Sequence, residues 1–131
     1  MKILLDTDIL LWTTFMSEVL PEEIAEFISD PENDVWLSVA SIWEIAIKAR
    51  RNRKDFSYSP LAILAAGRAM GFEVLAIKPE TAAMVSELPP YHRDPFDRLM
   101  IAQALAGPFR FFTADAALIE YSELVTLVRR N

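Results

Sequence analysis

The sequence predicts an α/β fold built on a central, mainly parallel sheet of five strands with helices on both faces. Short apolar runs typical of buried strands alternate along the chain with segments that carry helical periodicity. Parallel neighbours need long crossover connections, and the intervening helices supply them. The chain has 131 residues, of which 53% are hydrophobic, so we expect one core and a single domain over residues 1–131.

The first strand and two helices are expected before residue 31. Lys2 to Leu5 is a short apolar run that predicts a strand, and Asp8 to Phe15 has a helix-compatible pattern. Pro21 opens a second helix, because proline suits the first turn and the two glutamates after it face the positive end of the helix dipole. This helix is expected to end near Asp30.

The second strand is predicted at Asp34–Ser38, and Ser38 or Ser41 can cap the helix that follows it. That helix carries its isoleucines and alanines on one face. The helix-rich section between Lys48 and Met70 is interpreted as a projecting arm or hairpin with a role in dimerisation. Within it, a helix should start at the Ser-Pro pair of residues 59–60 and end at Gly71.

The remaining elements complete the sheet. Glu73–Ile77 predicts the third strand, and Pro79–Leu88 predicts a helix that the following two prolines must end, since they lack amide donors. Asp94–Ala106 is the best-defined helix and is closed by a Gly-Pro pair. Phe109–Thr113 and Leu124–Val128 are the last two strands, with a short helix between them.

Composition excludes several kinds of site. The chain has no cysteine, which excludes disulfides, thiolate metal sites and thiol nucleophiles. Asp6 and Asp8 interrupt the apolar start too early for a signal peptide. No uncharged run approaches the roughly 18 apolar residues needed to span a membrane. We therefore expect a soluble cytoplasmic protein with no membrane partner.

The charge distribution limits how nucleic acid can bind. A formal net charge of −6 argues against nonspecific coating of nucleic acid. Basic residues are nevertheless crowded into one short stretch, which can touch phosphates or can simply be a solvated helix end near the negative dipole terminus. The candidates for contacts with a nucleic-acid backbone are Lys48, Arg50, Arg51, Arg53, Lys54, Arg93 and Arg98.

Four carboxylates follow different elements but are expected at one edge of the sheet. Ligands of open parallel sheets bind beyond the carboxyl ends of the strands, where the strand order reverses. Asp6 follows the first strand, Glu44 lies early in the helix after the second, Asp97 begins a later helix, and Asp115 follows the fourth strand. Grouped carboxylates repel one another unless cations compensate, and Mg²⁺ or Mn²⁺ suits such oxygen ligands. This pattern predicts a metal-dependent nuclease.

Each acid also has a structural alternative. Asp94 fits the N-cap of its helix, and Asp97 suits the position three residues after that cap. Asp115 can cap the short helix after it, and Glu44 can pair with Lys48 at i, i+4. Asp6 favours function more strongly, because an ionisable residue that ends an apolar strand needs a partner or a cation.

Hydroxyl and aromatic residues near this edge allow two interpretations. Thr7, Ser38 and Thr113 can orient the acids or waters, or can serve only in caps and turns. His92, the only histidine, is interpreted as a solvated or partner-facing loop residue rather than a general base. The three tryptophans fall among apolar neighbours and are expected in the core or at an interface rather than as base-stacking platforms.

Four ordered segments together form a specific pattern that covers nearly all of the chain. They are Ile3-Leu4-Leu5-Asp6-Thr7, the run Leu37-Ser38-Val39-Ala40-Ser41-Ile42-Trp43-Glu44-Ile45-Ala46-Ile47-Lys48, His92-Arg93-Asp94-Pro95-Phe96-Asp97-Arg98 continuing to Ile101-Ala102-Gln103-Ala104, and Thr113-Ala114-Asp115. In these segments the chain resembles the PIN-domain ribonucleases, specifically the VapC-type toxins of bacterial toxin–antitoxin pairs.

The resemblance implies a three-layer α/β/α sandwich, Mg²⁺- or Mn²⁺-dependent cleavage of RNA phosphodiesters and, commonly, a homodimer. Asp6, Glu44 and Asp97 match the core acids of the family, Asp115 matches a fourth, more variable position, and Asp94 resembles an accessory acid. The resemblance further implies a cognate antitoxin protein that blocks the site, often with a basic side chain.

One position departs from the family pattern. Many relatives in this subgroup have histidine where this chain has Asp8. Asp8 can add negative charge to the pocket or cap the following helix. The departure bears on metal affinity and substrate preference rather than on the reaction class.

Two other interpretations remain open. Asp6 and Asp8 after an apolar strand also suit a haloacid-dehalogenase-like phosphatase, with the first as nucleophile, the second as general acid and Ser38 in its second motif. That interpretation lacks a clear phosphate-binding lysine late in the chain and leaves Glu44 and Asp97 unexplained. The other is a non-catalytic module that binds RNA or a partner.

Overall fold

Five strands form one parallel sheet in the computed structural model, which describes residues 1–51 and 58–131. The strands are β1 (Lys2–Leu5), β2 (Asp34–Ser38), β3 (Glu73–Leu75), β4 (Arg110–Thr113) and β5 (Val125–Leu127). Their order is β3-β2-β1-β4-β5, and every neighbouring pair is parallel. The predicted α/β class is confirmed, and strand bounds differ from the predicted ones by at most two residues.

Helices fill the connections between strands. In the described ranges they are α1 (Thr7–Phe15), α2 (Glu22–Ser29), α3 (Val39–Arg51), α4 (Pro60–Ala69), α5 (Pro79–Met84) and α6 (Pro95–Ala106). Short 3₁₀ helices occur at Ser17–Val19, Val85–Glu87 and Ala116–Tyr121. The helix expected over residues 79–88 is therefore an α-helix extended by a 3₁₀ turn. No helix in these ranges is long and apolar enough to cross a bilayer.

Alternate residues of β1 face two separate apolar cores. Ile3 and Leu5 pack against residues of α1, α2 and α4, whereas Leu4 packs against Met100 and Ile101 of α6. All five side chains are essentially inaccessible to solvent. Because successive strand residues point to opposite faces, this burial on both sides produces the three layers of an α/β/α sandwich.

The α4 helix belongs to the main core rather than to a projecting arm. Ser59 caps its start and Gly71, with a φ of 87°, follows its end, as predicted. Ile63 is fully buried, and α4 packs against α1 and α3. The prediction of a projecting arm between Lys48 and Met70 is therefore wrong for α4, because the burial of Ile63 holds this helix against the core. Residues 52–57 lie outside the described part of the chain.

The strand order reverses between β1 and β4. After β1 the chain builds β2 and β3 on one side, and it later returns to add β4 and β5 on the other side. The connections that leave β1 and β4 therefore diverge and open a crevice at the carboxyl edge of the sheet. Asp6 directly follows β1, and Asp115 follows β4 at the same edge.

Candidate active site

A small acidic cavity lies at this crevice. Its volume is about 160 Å³, and six carboxylates, one threonine and one lysine line it. The lining residues are Asp6, Thr7, Asp8, Glu44, Lys48, Asp94, Asp97 and Asp115. The structure thus brings together all four acids that the sequence places at the carboxyl edge, along with both acids suggested as accessory groups.

Asp6 is buried, and neighbouring donors hold its carboxylate in place. It caps α1, since its Oδ1 accepts a hydrogen bond from the amide of Ile9 at 2.9 Å. Its Oδ2 accepts from the hydroxyl of Thr113 at 2.5 Å and from the amide of Ala114 at 3.3 Å. Burial nevertheless raises the pKa of Asp6 from 3.8 to about 7. A cation would therefore displace a proton from this carboxyl near neutral pH.

Asp97 carries the most destabilised negative charge of the cavity. Burial, followed by the nearby negative charges of Asp94, Asp6 and Glu44, raises its pKa from 3.8 to about 8. Its Oδ2 lies 3.6 Å from the Nε2 of His92, and no hydrogen bond reaches its carboxylate from residues 1–51 and 58–131. Its oxygens are consequently the ones most available to a cation.

Glu44 is held by two neighbours. Its Oε1 accepts a hydrogen bond from the Thr7 hydroxyl at 2.5 Å, and its Oε2 lies 2.9 Å from the Lys48 Nζ. Burial lowers the pKa of Lys48, but the hydrogen bond and charge of Glu44 outweigh this effect and raise it above its usual value. The i, i+4 pair considered as an alternative for Glu44 is therefore present, and it lies inside the cavity.

Asp94 and Asp115 both act as helix caps. Oδ1 of Asp94 accepts from the amides of Phe96 and Asp97, and Oδ1 of Asp115 accepts from the amide of Ala117. The capping alternative thus holds for both residues. It does not remove them from the cavity, because each retains a second carboxylate oxygen.

Asp8 lies at the mouth of the cavity with an exposed side chain. Partial desolvation raises its pKa; the Lys48 ammonium opposes this shift, whereas Glu44 and Asp115 reinforce it. Asp6, and not Asp8, is the cap of α1. Of the two roles considered for Asp8, the structure therefore supports added negative charge.

Two of the predicted hydroxyl residues contact the acids and one does not. Thr7 donates to Glu44, and Thr113 donates to Asp6 while accepting from the amide of Asp115 at 3.1 Å. Ser38 instead donates to the Gln103 Oε1 at 2.6 Å and accepts from the amide of residue 40 at the start of α3. Of the two interpretations considered, capping therefore applies to Ser38, and orienting the acids does not.

His92 is the residue that sequence reasoning missed. Its side chain is only 19% exposed, and its Nε2 lies 2.7 Å from the Oδ2 of Asp115. The sequence-based interpretation of His92 as a solvated loop residue is therefore wrong, because its side chain is mostly buried against Asp115. Its position two residues before Asp94, in the motif that carries Asp97, was the available signal.

Arg98 is committed to the chain itself rather than to phosphates. Its guanidinium donates to the carbonyls of Val85 and Pro89, both at 2.9 Å, and to the Tyr121 hydroxyl at 3.1 Å. Longer contacts at 3.4 Å reach the carbonyls of Leu88 and His92. These contacts occupy both terminal nitrogens of the guanidinium, which a phosphate would otherwise contact. The suggested RNA-backbone role of Arg98 is therefore not supported.

We expect Arg98→Ala to lower the free energy of unfolding by about 2 kcal/mol, because it leaves several carbonyl groups without their charged donor. The matched control is Arg93→Ala, since Arg93 is exposed. Chemical unfolding of both variants measures the difference. Equal, near-zero effects of the two substitutions would show that the Arg98 contacts add nothing to stability.

The other basic candidates differ in position. All four of Lys48, Arg50, Arg51 and Arg93 are exposed, but of these Lys48 alone lines the cavity. Arg53 and Lys54 lie outside the described residues. Lys48 is thus the basic candidate closest to the acids.

The tryptophans are not all in the core. Trp12 is buried as expected, but Trp43 is 56% exposed and packs edge-on against Phe96, with ring centroids 5.0 Å apart. The core interpretation is therefore wrong for Trp43, because the outer side of α3 has no layer over it in the described chain.

Comparison with known proteins gives a family and a fold. The PIN domain model matches residues 3–124. None of the curated proteins is significantly similar to the chain in sequence. Among solved structures, the chain is similar to one described as the crystal structure of VapBC2 from Rickettsia felis bound to a DNA fragment from their promoter, with a TM-score of 0.71, 14% identity and 100% coverage of both chains. At this identity the likeness shows the fold.

Proposed function

The chain belongs to the PIN domain family, and on that premise we propose that it is a Mg²⁺- or Mn²⁺-dependent endoribonuclease. PIN domains are nucleases. The observation that carries the proposal is the pair Asp6 and Asp97, whose pKa values are raised to about 7 and about 8 in a cavity lined by six carboxylates. Such a cavity is far more stable with a divalent cation than with its acids ionised alone.

The donor set fits a hard divalent cation. The lining offers carboxylate and hydroxyl oxygens, and Asp97, Asp6 and Glu44 would hold the ion, with Asp115 close by. When bound, Mg²⁺ or Mn²⁺ would offset the carboxylate repulsion, make a water reactive near neutral pH and stabilise charge on the leaving oxygen.

The residues around these acids would set their geometry. Thr113 and the amide of Ala114 fix the orientation of Asp6, and Thr7 fixes that of Glu44. Lys48, which is 47% exposed at the cavity, would lower the repulsion that a phosphodiester meets on approach. Exposed Arg93 would contact the RNA backbone farther out.

We further propose that the protein acts in the cytoplasm as the toxin of a toxin–antitoxin pair. The fold similarity to a VapBC2 structure and the four sequence motifs support this role. A cognate antitoxin would inhibit by placing a basic side chain in the acidic cavity, which the charge of the lining favours. A homodimer is proposed from the family resemblance.

The phosphatase alternative fits the cavity less well. It leaves Glu44 and Asp97 without a role, although both line the cavity beside Asp6. The family match is also to PIN domains. The non-catalytic binding module remains an outcome of the test.

The test is RNA cleavage by the purified protein after treatment with EDTA and readdition of Mg²⁺ or Mn²⁺. We expect cleavage of cellular RNA only with added metal, and a loss of at least about 100-fold in Asp6→Asn, above the usual effect of a residue that only supports a metal ligand. Asparagine still caps a helix, so α1 should remain folded. The control is Asp34→Asn, an exposed aspartate at the start of β2.

Three results would overturn the proposal. Equal cleavage by the wild type and Asp6→Asn in excess EDTA would indicate a contaminating or metal-free activity. A phospho-aspartate at Asp6 would favour the phosphatase. Retained RNA binding with no cleavage in either metal would favour the binding module.

A further inference from the structure

The loop before α6 is fixed by side chains from other elements. The hydroxyl of Tyr121 donates to the carbonyl of Pro89 at 2.8 Å and accepts from the amide of His92 at 3.0 Å. Arg98 donates to the same carbonyl and to the same hydroxyl. The backbone of His92 therefore has a defined position above the acidic cavity.

The imidazole of His92 has its tautomer set by the backbone. The amide of Asp94 donates to the Nδ1 at 3.0 Å, so the Nδ1 must carry a lone pair and no proton. In a neutral ring the proton is then on Nε2. The Nε2–H donates to the Oδ2 of Asp115 at 2.7 Å.

This arrangement distinguishes a hydrogen-bonding role from metal ligation. Ligand atoms of His92, Asp97 and Asp115 all lie within 4.8 Å of one another, close enough to surround an ion. Coordination through Nε2 would require the proton to move to Nδ1, where it would face the N–H of Asp94. The Asp94 amide therefore favours His92 as a donor to Asp115.

Asp115 needs such a donor in order to stay beside the other acids. Its side chain is 40% exposed, and an ionised Asp97 would repel its negative charge. Without the bond to His92, solvation and repulsion would both favour rotation of its free oxygen away from the cavity. The amide of Ala117 holds only the other oxygen.

We propose that His92 is a positioning residue that holds Asp115 at the cation site as the Nε2–H tautomer. The inference rests on the proposed metal-dependent function, but the binding of Mn²⁺ alone can test it. Hydrogen-bond partners of this kind typically change metal affinity by about 10- to 100-fold.

Two substitutions separate this role from a purely structural one. In His92→Asn the side-chain oxygen can replace Nδ1 as acceptor for the Asp94 amide, but no donor reaches Asp115. In His92→Gln the side-chain amide can replace the Nε2–H donor, but the acceptor for Asp94 is lost. The first variant keeps the loop contact, and the second keeps the contact to Asp115.

Calorimetric titration of the metal-free variants with Mn²⁺ gives the main result. We expect the Kd for Mn²⁺ to rise about 10- to 100-fold in His92→Asn and to stay within about threefold of the wild type in His92→Gln. In an Asp115→Asn background, His92→Asn should have no further effect. A larger rise in Kd for His92→Gln than for His92→Asn would overturn the proposal. So would a further rise in Kd when His92→Asn is added to Asp115→Asn.

The tautomer can be observed directly, because the chain has a single histidine. Its ring ¹⁵N chemical shifts should show a protonated Nε2 and an unprotonated Nδ1 in the metal-free protein. The opposite tautomer would overturn the proposal. Neither measurement needs RNA, so a wild type that binds Mn²⁺ as expected but cleaves no RNA would refute the proposed function and leave the role of His92 standing.

Discussion

Asp97→Asn is expected to remove RNA cleavage while stabilising the metal-free protein. Asp97 is only 17% exposed, and burial with neighbouring negative charges raises its pKa to about 8. Asparagine removes the charge that this site disfavours and also the oxygen most available to a cation. We expect at least a 100-fold loss of cleavage, together with a gain of roughly 1–3 kcal/mol in the free energy of unfolding without metal.

Cleavage assays and chemical unfolding in EDTA measure the two effects on the same preparations. Asp34→Asn is the matched control, because it removes one negative charge from an exposed position at the opposite end of β2. It should change neither quantity appreciably. A variant Asp97→Asn that is less stable without metal would show that Asp97 serves the fold, and full retention of cleavage would show that it is not a ligand.

The stability of the metal-free protein should fall as the pH rises from about 4 to about 8. Asp6 and Asp97 have pKa values of about 7 and about 8 in the folded chain, against an ordinary aspartate pKa of 3.8. Between these values the folded state binds more protons than the unfolded state, so each added pH unit favours unfolding. We expect a decrease of at least about 2 kcal/mol in the free energy of unfolding across this range.

Mn²⁺ should reverse this trend. The cation competes with the protons on Asp6 and Asp97, so its stabilising effect should be larger at pH 8 than at pH 5, and its binding at pH 7 should release protons. Thermal melts at both pH values, with and without Mn²⁺, measure the effect. The double variant Asp6→Asn with Asp97→Asn should lose most of the pH dependence. If the stability of the wild type changed with pH as little as that of the double variant, the result would contradict the account.

Local sequence signals were enough to predict the sheet and the place where the acids meet. The apolar run that ends at Asp6 and the Asp94 cap followed by Pro95 are short-range patterns, and the structure has a strand end and a helix start at those positions. Parallel strands then put their carboxyl ends at one edge. The convergence of Asp6 and Asp97 thus follows from topology.

The remaining features depend on contacts between distant segments, which periodicity does not encode. Arg98 looks like a free basic residue until the loop before α6 folds over it and supplies carbonyl acceptors. His92 looks exposed until β4 brings Asp115 beside it. Ser38 ends β2 at the carboxyl edge of the sheet, but its hydroxyl donates to Gln103 of α6 rather than to the acids.

Product analysis after cleavage in ¹⁸O-labelled water tests the central claim most directly. Hydrolysis by a metal-activated water would place one ¹⁸O on the 5′-phosphate of the downstream fragment and leave a 3′-hydroxyl on the upstream one. We expect these ends with the wild type in Mg²⁺ or Mn²⁺ and no cleavage with Asp97→Asn. Fragments that end in 2′,3′-cyclic phosphate, or identical products from Asp97→Asn, would contradict it.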